Sequence, residues 1–292
     1  MIETYPSRVD FLIPGVQKGG TTALHAYLAL HPQLVPPEGM KELQFFSGSD
    51  KNVDWYHRQF PQISYQEKLC YESTPDYICG YNFIADIAKY KARYSPKLKL
   101  ILIFRAPEKR AYSQWNMTRH LIKELRDPNN KKGWTLKELN PYAYDLFSSM
   151  AALPSFERCF EIFLDSFEEI TPVKDLRQLN EGGLINEIPG QFFVRGLYFF
   201  ALKALFEFFH SEDLLILEST ELENNTIETL DKVVRFLDIS PYEWPEPEIS
   251  VPRHVSIYEK SIDPNTENRI KSFYAPYNQA FFALAKKNYN WA

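Results

Sequence analysis

Short, unbroken apolar runs alternate along the chain with stretches whose apolar residues recur every three or four positions, a pattern of strands followed by helices. Residues 10–14 (DFLIP) form an apolar run that stops at Gly15, a buried strand and its turn. From Thr22, residues Ala23, Leu24, Tyr27 and Leu28 fall on one helical face, and that helix ends before Pro32. Residues 68–72 (KLCYE) predict a second strand, closed by Ser73-Thr74-Pro75. Residues 98–104 (LKLILIF) give the clearest strand, apolar almost throughout as an interior parallel strand is. Pro107 then suits a helix start, with residues 110–118 continuing it. Further on, residues 197–209 predict an apolar helix and 213–218 (DLLILE) another buried strand. Ile227, Leu230, Val233, Val234 and Leu237 mark an amphipathic helix, residues 240–252 a Pro-rich loop, and Ile270, Phe273, Tyr274, Tyr277, Phe281 and Leu284 a closing helix. Residues 121–195 show the weakest periodicity. The fold class is therefore α/β, a mainly parallel sheet flanked by helices, read as a single domain over residues 1–292.

Composition narrows the chemistry. The 292 residues carry a net charge of −5, which gives no general attraction to nucleic acid or to an anionic membrane. Any anion must be captured by local cations and backbone amides. No stretch reaches the roughly 18 to 20 apolar residues of a membrane helix, and the N-terminal residues show no signal-peptide pattern. Cys70, Cys79 and Cys159 are too few and too irregular for a disulfide framework or a zinc site. A soluble, cytoplasmic protein is the expectation.

The first strand runs into Gly15-Val16-Gln17-Lys18-Gly19-Gly20-Thr21-Thr22. A glycine-rich turn feeding a helix aims several N–H groups at one point, with the positive end of the helix dipole behind them, and so captures phosphate-like anions. The rival is the P-loop of a nucleotide kinase or hydrolase, G-x-x-x-x-G-K-[ST]. Gly15 and Gly20 have that spacing, but Thr21 stands at the lysine position and the loop's lysine, Lys18, lies before the second glycine. Such an enzyme also holds magnesium on a carboxylate at a neighbouring strand end, whereas residues 98–104 lead into Arg105.

Three segments in order resemble the sulfotransferase superfamily, and within it the carbohydrate branch of the heparan sulfate N- and 3-O-sulfotransferases. Residues 15–24 with Leu30-His31-Pro32 are similar to the 5′-phosphosulfate loop and its helix. Residues 41–46 (KELQFF), continuing to Asp54-Trp55-Tyr56, resemble the segment bearing the catalytic carboxylate. Arg105, Pro107, Arg110 and Ser113 match the 3′-phosphate motif R-x-P-x-x-R-x-x-S. The resemblance implies a P-loop-like fold with a mostly helical acceptor cap near residues 120–190. It also implies transfer of a sulfuryl group from 3′-phosphoadenosine 5′-phosphosulfate (PAPS), without a metal, releasing adenosine 3′,5′-bisphosphate (PAP).

Carried over residue by residue, the resemblance makes Lys18 a contact of the phosphosulfate, with Gly19, Gly20, Thr21 and Thr22 around the 5′-phosphate. Arg105 and Ser113 would bind the 3′-phosphate, and Glu42 would be the general base, with Glu38 and Glu72 as nearby rivals. Arg195, Tyr198, Arg253 and His254 are further candidates. Heparan enzymes carry lysine where this chain has Ser73. The acceptor implied is a glycan, glycolipid or small hydroxylated metabolite, because a heavily sulfated polymer demands a basic groove. A β-hydroxyacyl or polyketide-type hydroxyl is the alternative, and a nucleotide kinase or hydrolase the remote one. All of these transferase readings require Lys18 and Arg105 to face one pocket.

Overall fold

The computed structural model describes residues 8–49, 52–63, 68–126, 153–181, 188–249 and 260–291. Its sheet has five parallel strands: β1 (Phe11–Gly15), β2 (Leu34–Val35), β3 (Leu69–Glu72), β4 (Lys99–Phe104) and β5 (Leu214–Glu218). Their order is β2-β3-β1-β4-β5. Register is set by Phe11 opposite Tyr71 and Lys99, and by Leu100 opposite Leu214.

Alternation along the strands divides the core in two. In β4, Leu100, Leu102 and Phe104 face one apolar cluster, while Ile101 and Ile103 face the other. Both faces are buried, so β4 reads as a continuous apolar run and not as an alternating one. Over the Ile101 face lie α1 (Thr21–Leu28) and α10 (Thr226–Leu237), supplying Leu24, Leu28, Leu230, Val233 and Val234. Short helix α9 (Ser219–Asn224) adds Leu222 there. The opposite face is covered by α3 (Tyr81–Tyr94), α4 (Pro107–Arg126), α8 (Tyr198–Phe208) and α12 (Pro264–Ala285).

Segments without a clear sequence signal supply α2 (Val53–His57), β2 and α3. Residues 240–252 are not all loop: Glu246–Ile249 forms one helical turn, α11, which buries Ile249. Nor is the stretch 121–195 without periodicity. Within it, α5 (Phe156–Glu168) buries Phe156, Cys159, Phe160, Phe163 and Phe167 on one face. Phe160 and Phe163 pack on Phe193 and Phe273, so this helix belongs to the main core. Helices α6 (Leu176–Glu181) and α7 (Gly190–Val194) complete the described part. Residues 127–152 and 182–187, which hold part of the expected acceptor cap, lie outside the described residues, as do Arg253 and His254.

Since all five strands are parallel, their C-terminal ends share one edge of the sheet. From β1 the chain crosses to β2 and β3 on one side and then returns to β4 on the other. A crevice at such a reversal of strand order is where open α/β sheets bind ligands.

Candidate active site

The turn after β1 is held by backbone contacts that its glycines permit. Val16 N–H donates to the Ile103 carbonyl at 3.0 Å and Gly19 N–H to Val16 at 2.9 Å. A Cβ on Gly19 would stand 2.5 Å from the Ile103 carbonyl oxygen, so no larger residue fits without displacing β4. Gly20 has φ 106, a left-handed conformation natural to glycine, and forms the N-cap of α1. No side chain caps α1 and no acid occupies its first turn. The first-turn amides, those of Thr21 and Thr22 among them, are therefore left for an anion.

Two cations converge on this turn. The Arg105 guanidinium donates to the Lys18 carbonyl at 3.3 Å. Arg105 therefore lies against the turn that carries Lys18, close enough for its charge to act on the Lys18 ammonium. The Lys18 ammonium lies 3.9 Å from the Met117 sulfur, and among the described residues neither cation has an ion-pair partner. Burial first, then the positive charges of Arg105 and Arg110, lower the Lys18 pKa. Burial and neighbouring like charge both disfavour the protonated lysine, and an anion placed here would relieve both. Ser113 is buried one turn before Met117, on the α4 face that meets Lys18.

Three further predicted residues act as supports. Tyr198 is buried, and its hydroxyl donates to the Arg105 carbonyl at 2.9 Å, fixing the end of β4. Arg195 pairs with Asp76 at 2.7 Å and reaches the Gln17 side chain at 3.5 Å, so it braces the loop from behind. Arg110 is wholly buried, donating to Gln114 at 2.7 Å and to the Phe192 carbonyl. Its place in the phosphate motif is therefore internal.

The carboxylates differ sharply. Glu42 is 40% exposed and pairs with Lys41 at 2.7 Å, and the Lys41 ammonium also lies 3.5 Å from the Thr21 hydroxyl. Glu42 thereby borders the phosphate loop. Glu72, at the end of β3, is fully buried and accepts from Leu43 N–H at 3.1 Å, from the Tyr56 and Tyr77 hydroxyls, and from Thr74. A carboxylate does stand at a strand end beside β1, contrary to the sequence argument against a magnesium enzyme. Its oxygens are occupied by protein donors, which leaves it structural.

Desolvation pushes the Glu72 pKa up to about 7, against the pull of the Thr74, Tyr77 and Tyr56 hydroxyls and the Leu43 amide. The folded state then keeps a proton that the unfolded chain sheds near 4.5. Stability from this group is present below that pH and lost as pH rises through 7. Urea unfolding at pH 5 and pH 8 is expected to show wild type losing about 1 to 3 kcal/mol more over that interval than Glu72→Gln. Equal losses in both proteins would remove the assignment.

His25 and Ser73 were not foreseen as a pair. The His25 Nδ1 is hydrogen-bonded to Ser73 Oγ at 2.9 Å, and Tyr71 donates to the His25 carbonyl at 2.7 Å. Burial, then the Lys41 charge, lowers the imidazole pKa to about 4. His25 is neutral at physiological pH.

Residues 8–271 match the family described as "Sulfotransferase domain". The chain belongs to the sulfotransferase family. Enzymes of this family use PAPS as sulfuryl donor. The chain is 36% identical over 129 residues to the bifunctional heparan sulfate N-deacetylase/N-sulfotransferase 1 of Caenorhabditis briggsae, covering 41% of this chain and 14% of that protein. It is 26% identical over 239 residues to N-deacetylase/N-sulfotransferase 4 of Mus musculus, covering 80% and 22%. Against the heparan sulfate glucosamine 3-O-sulfotransferase 5 of Mus musculus it is 23% identical, covering 96% and 73%. The chain thus spans less than a quarter of the bifunctional relatives' length. The crystal structure of a sulfotransferase from Alicyclobacillus acidocaldarius shares the fold, with a TM-score of 0.66, 20% identity, and coverage of 98% and 99%.

Proposed function

We propose that this sulfotransferase transfers a sulfuryl group in line from PAPS to a hydroxyl, or an amine, of a neutral carbohydrate, glycolipid or small metabolite, with no metal in the transfer. The observation that carries the reading is the convergence of two cations with no ion-pair partner among the described residues, Lys18 and Arg105, on an uncapped helix N-terminus. That set suits a donor bearing anionic groups at both ends of an adenosine. The 5′-phosphosulfate sits on the amides of α1, with Lys18 beside its bridging oxygen. Arg105 and Ser113 take the 3′-phosphate.

In the reaction the acceptor oxygen forms a bond to sulfur while the bond from sulfur to the 5′-phosphate oxygen breaks. The acceptor proton goes to Glu42, and PAP leaves with the electron pair. Alignment and fixed positive charge on the leaving oxygens supply the catalysis, and removing one such donor group commonly costs about 10²- to 10³-fold in rate. The heparan-sulfating relatives favour a carbohydrate acceptor. Met40, Trp55 and Met117, three of the exposed large apolar side chains, lie on segments bordering the site and favour a neutral partner over a polyanion. The same apolar rim supports the second reading, a β-hydroxyacyl or polyketide-type hydroxyl.

Isothermal titration with PAP in the presence of EDTA tests the donor assignment, and binding is expected without added metal. The lowered Lys18 pKa gives this binding a pH dependence. Lys18 must be a cation to hold the anion, so affinity is expected to fall as pH rises, by up to about tenfold per unit above the Lys18 pKa. Lys18→Arg, whose guanidinium stays charged, should abolish that fall. A dependence unchanged in Lys18→Arg would place the titrating group elsewhere. PAP binding that requires magnesium would overturn the metal-free reading.

A further inference from the structure

The backbone carrying Glu42 is fixed from behind, and its side chain is aimed by one neighbour. Leu43 N–H donates to Glu72, and Gln44 N–H donates to the Thr74 hydroxyl at 3.3 Å. Phe45 stacks on Tyr56 at 4.2 Å, which locks the segment against α2. Glu42 projects from this anchored stretch with 40% of its side chain exposed, and among the described residues it is held by Lys41. Lys41 is itself only 18% exposed, unlike an ordinary surface lysine. Its second contact, the Thr21 hydroxyl at 3.5 Å, belongs to the first residue of α1 on the phosphate loop.

On the proposed sulfotransferase reading, we propose that Lys41 is a positioning residue for the transfer, holding the Glu42 carboxylate beside the phosphate loop by engaging Glu42 and Thr21 together. A freely rotating Glu42 would spend most of its time away from the acceptor proton, and a base must lie within hydrogen-bond reach of the proton it removes. The groups around the pair leave this role to Lys41. From α1, His25 is neutral and occupied by Ser73. From the end of β3, Glu72 is enclosed by Leu43, Tyr56, Thr74 and Tyr77.

The test uses the donor and water, so no acceptor need be known. In slow donor hydrolysis the water oxygen bonds to sulfur, Glu42 takes the proton, and the bond from sulfur to the 5′-phosphate oxygen breaks to give sulfate and PAP. Single-turnover release of sulfate from sulfur-labelled PAPS is measured for wild type, Lys41→Met, Lys41→Arg, Glu42→Gln and the double variant Lys41→Met/Glu42→Gln. PAP affinity is measured on each protein. Lys41→Met is expected to slow the chemical step by about tenfold or more with PAP affinity within about threefold, and Lys41→Arg to recover most of the rate. In the Glu42→Gln background Lys41→Met should cost little more, because Lys41 acts through Glu42. Independent, multiplying losses would overturn the proposal, as would an unchanged rate in Lys41→Met. A wild type that does not bind PAP would instead overturn the donor reading itself.

Discussion

Replacing Glu42 by Gln is expected to lower turnover by about 10²- to 10⁴-fold, the usual contribution of a positioned general base, while PAP affinity stays within about threefold. The separation follows from the geometry. Glu42 meets the loop through Lys41 and, among the described residues, makes no bond to the turn proposed to hold the anion, so donor binding is expected not to depend on it. Glutamine keeps the shape and removes the proton acceptor. Turnover is measured with labelled donor, and affinity by calorimetry. Should Glu42→Gln turn over at the wild-type rate, the base lies elsewhere. Glu72 is a poor substitute, because its oxygens are committed to Tyr56, Thr74, Tyr77 and the Leu43 amide.

Arg105→Ala is expected to weaken PAP by roughly 10- to 150-fold, the value of a charge-assisted hydrogen bond of about 1.5 to 3 kcal/mol, and to weaken AMP far less. The two ligands differ only in the 3′-phosphate, so their ratio isolates that contact. Some loss is common to both, because the guanidinium also anchors the Lys18 carbonyl at 3.3 Å. Calorimetry on both nucleotides checks the difference. Equal weakening would mean that Arg105 serves only to shape the loop.

Local chemistry made part of this legible in the sequence. The turn from Gly15 to Gly20 and the arginine after β4 sit at the ends of apolar strands, and the parallel sheet brings those ends to one edge. Strands β4 and β5 announce themselves because both of their faces are buried. Two-residue β2 carries no such run and exists through its pairing with β3. Helix α5 was obscured by its acids. Glu157, Glu161, Asp165 and Glu168 are interleaved with the buried Phe156, Phe160, Phe163 and Phe167 along one amphipathic helix, which dilutes its apolar run. Within the site, the bond between Lys41 and Thr21 spans 20 positions and that between His25 and Ser73 spans 48. Neither spacing has a local signature, because both bonds come from other segments packing on α1, residues 41–46 in one case and the end of β3 in the other. Tyr198 and Arg195 likewise meet partners far away in the sequence, the Arg105 carbonyl and the Asp76 carboxylate.

Lys18 itself sits at φ 67, in left-handed backbone that a residue with a side chain occupies at some cost. Its carbonyl is tied to Arg105, and the neighbouring Gly19 is bonded to Val16, so the curve of the turn is set before any nucleotide arrives. Such a cradle has already surrendered its freedom during folding. On the proposed reading, capture of the donor demands little fresh ordering of this turn, and its contacts go almost undiminished into grip.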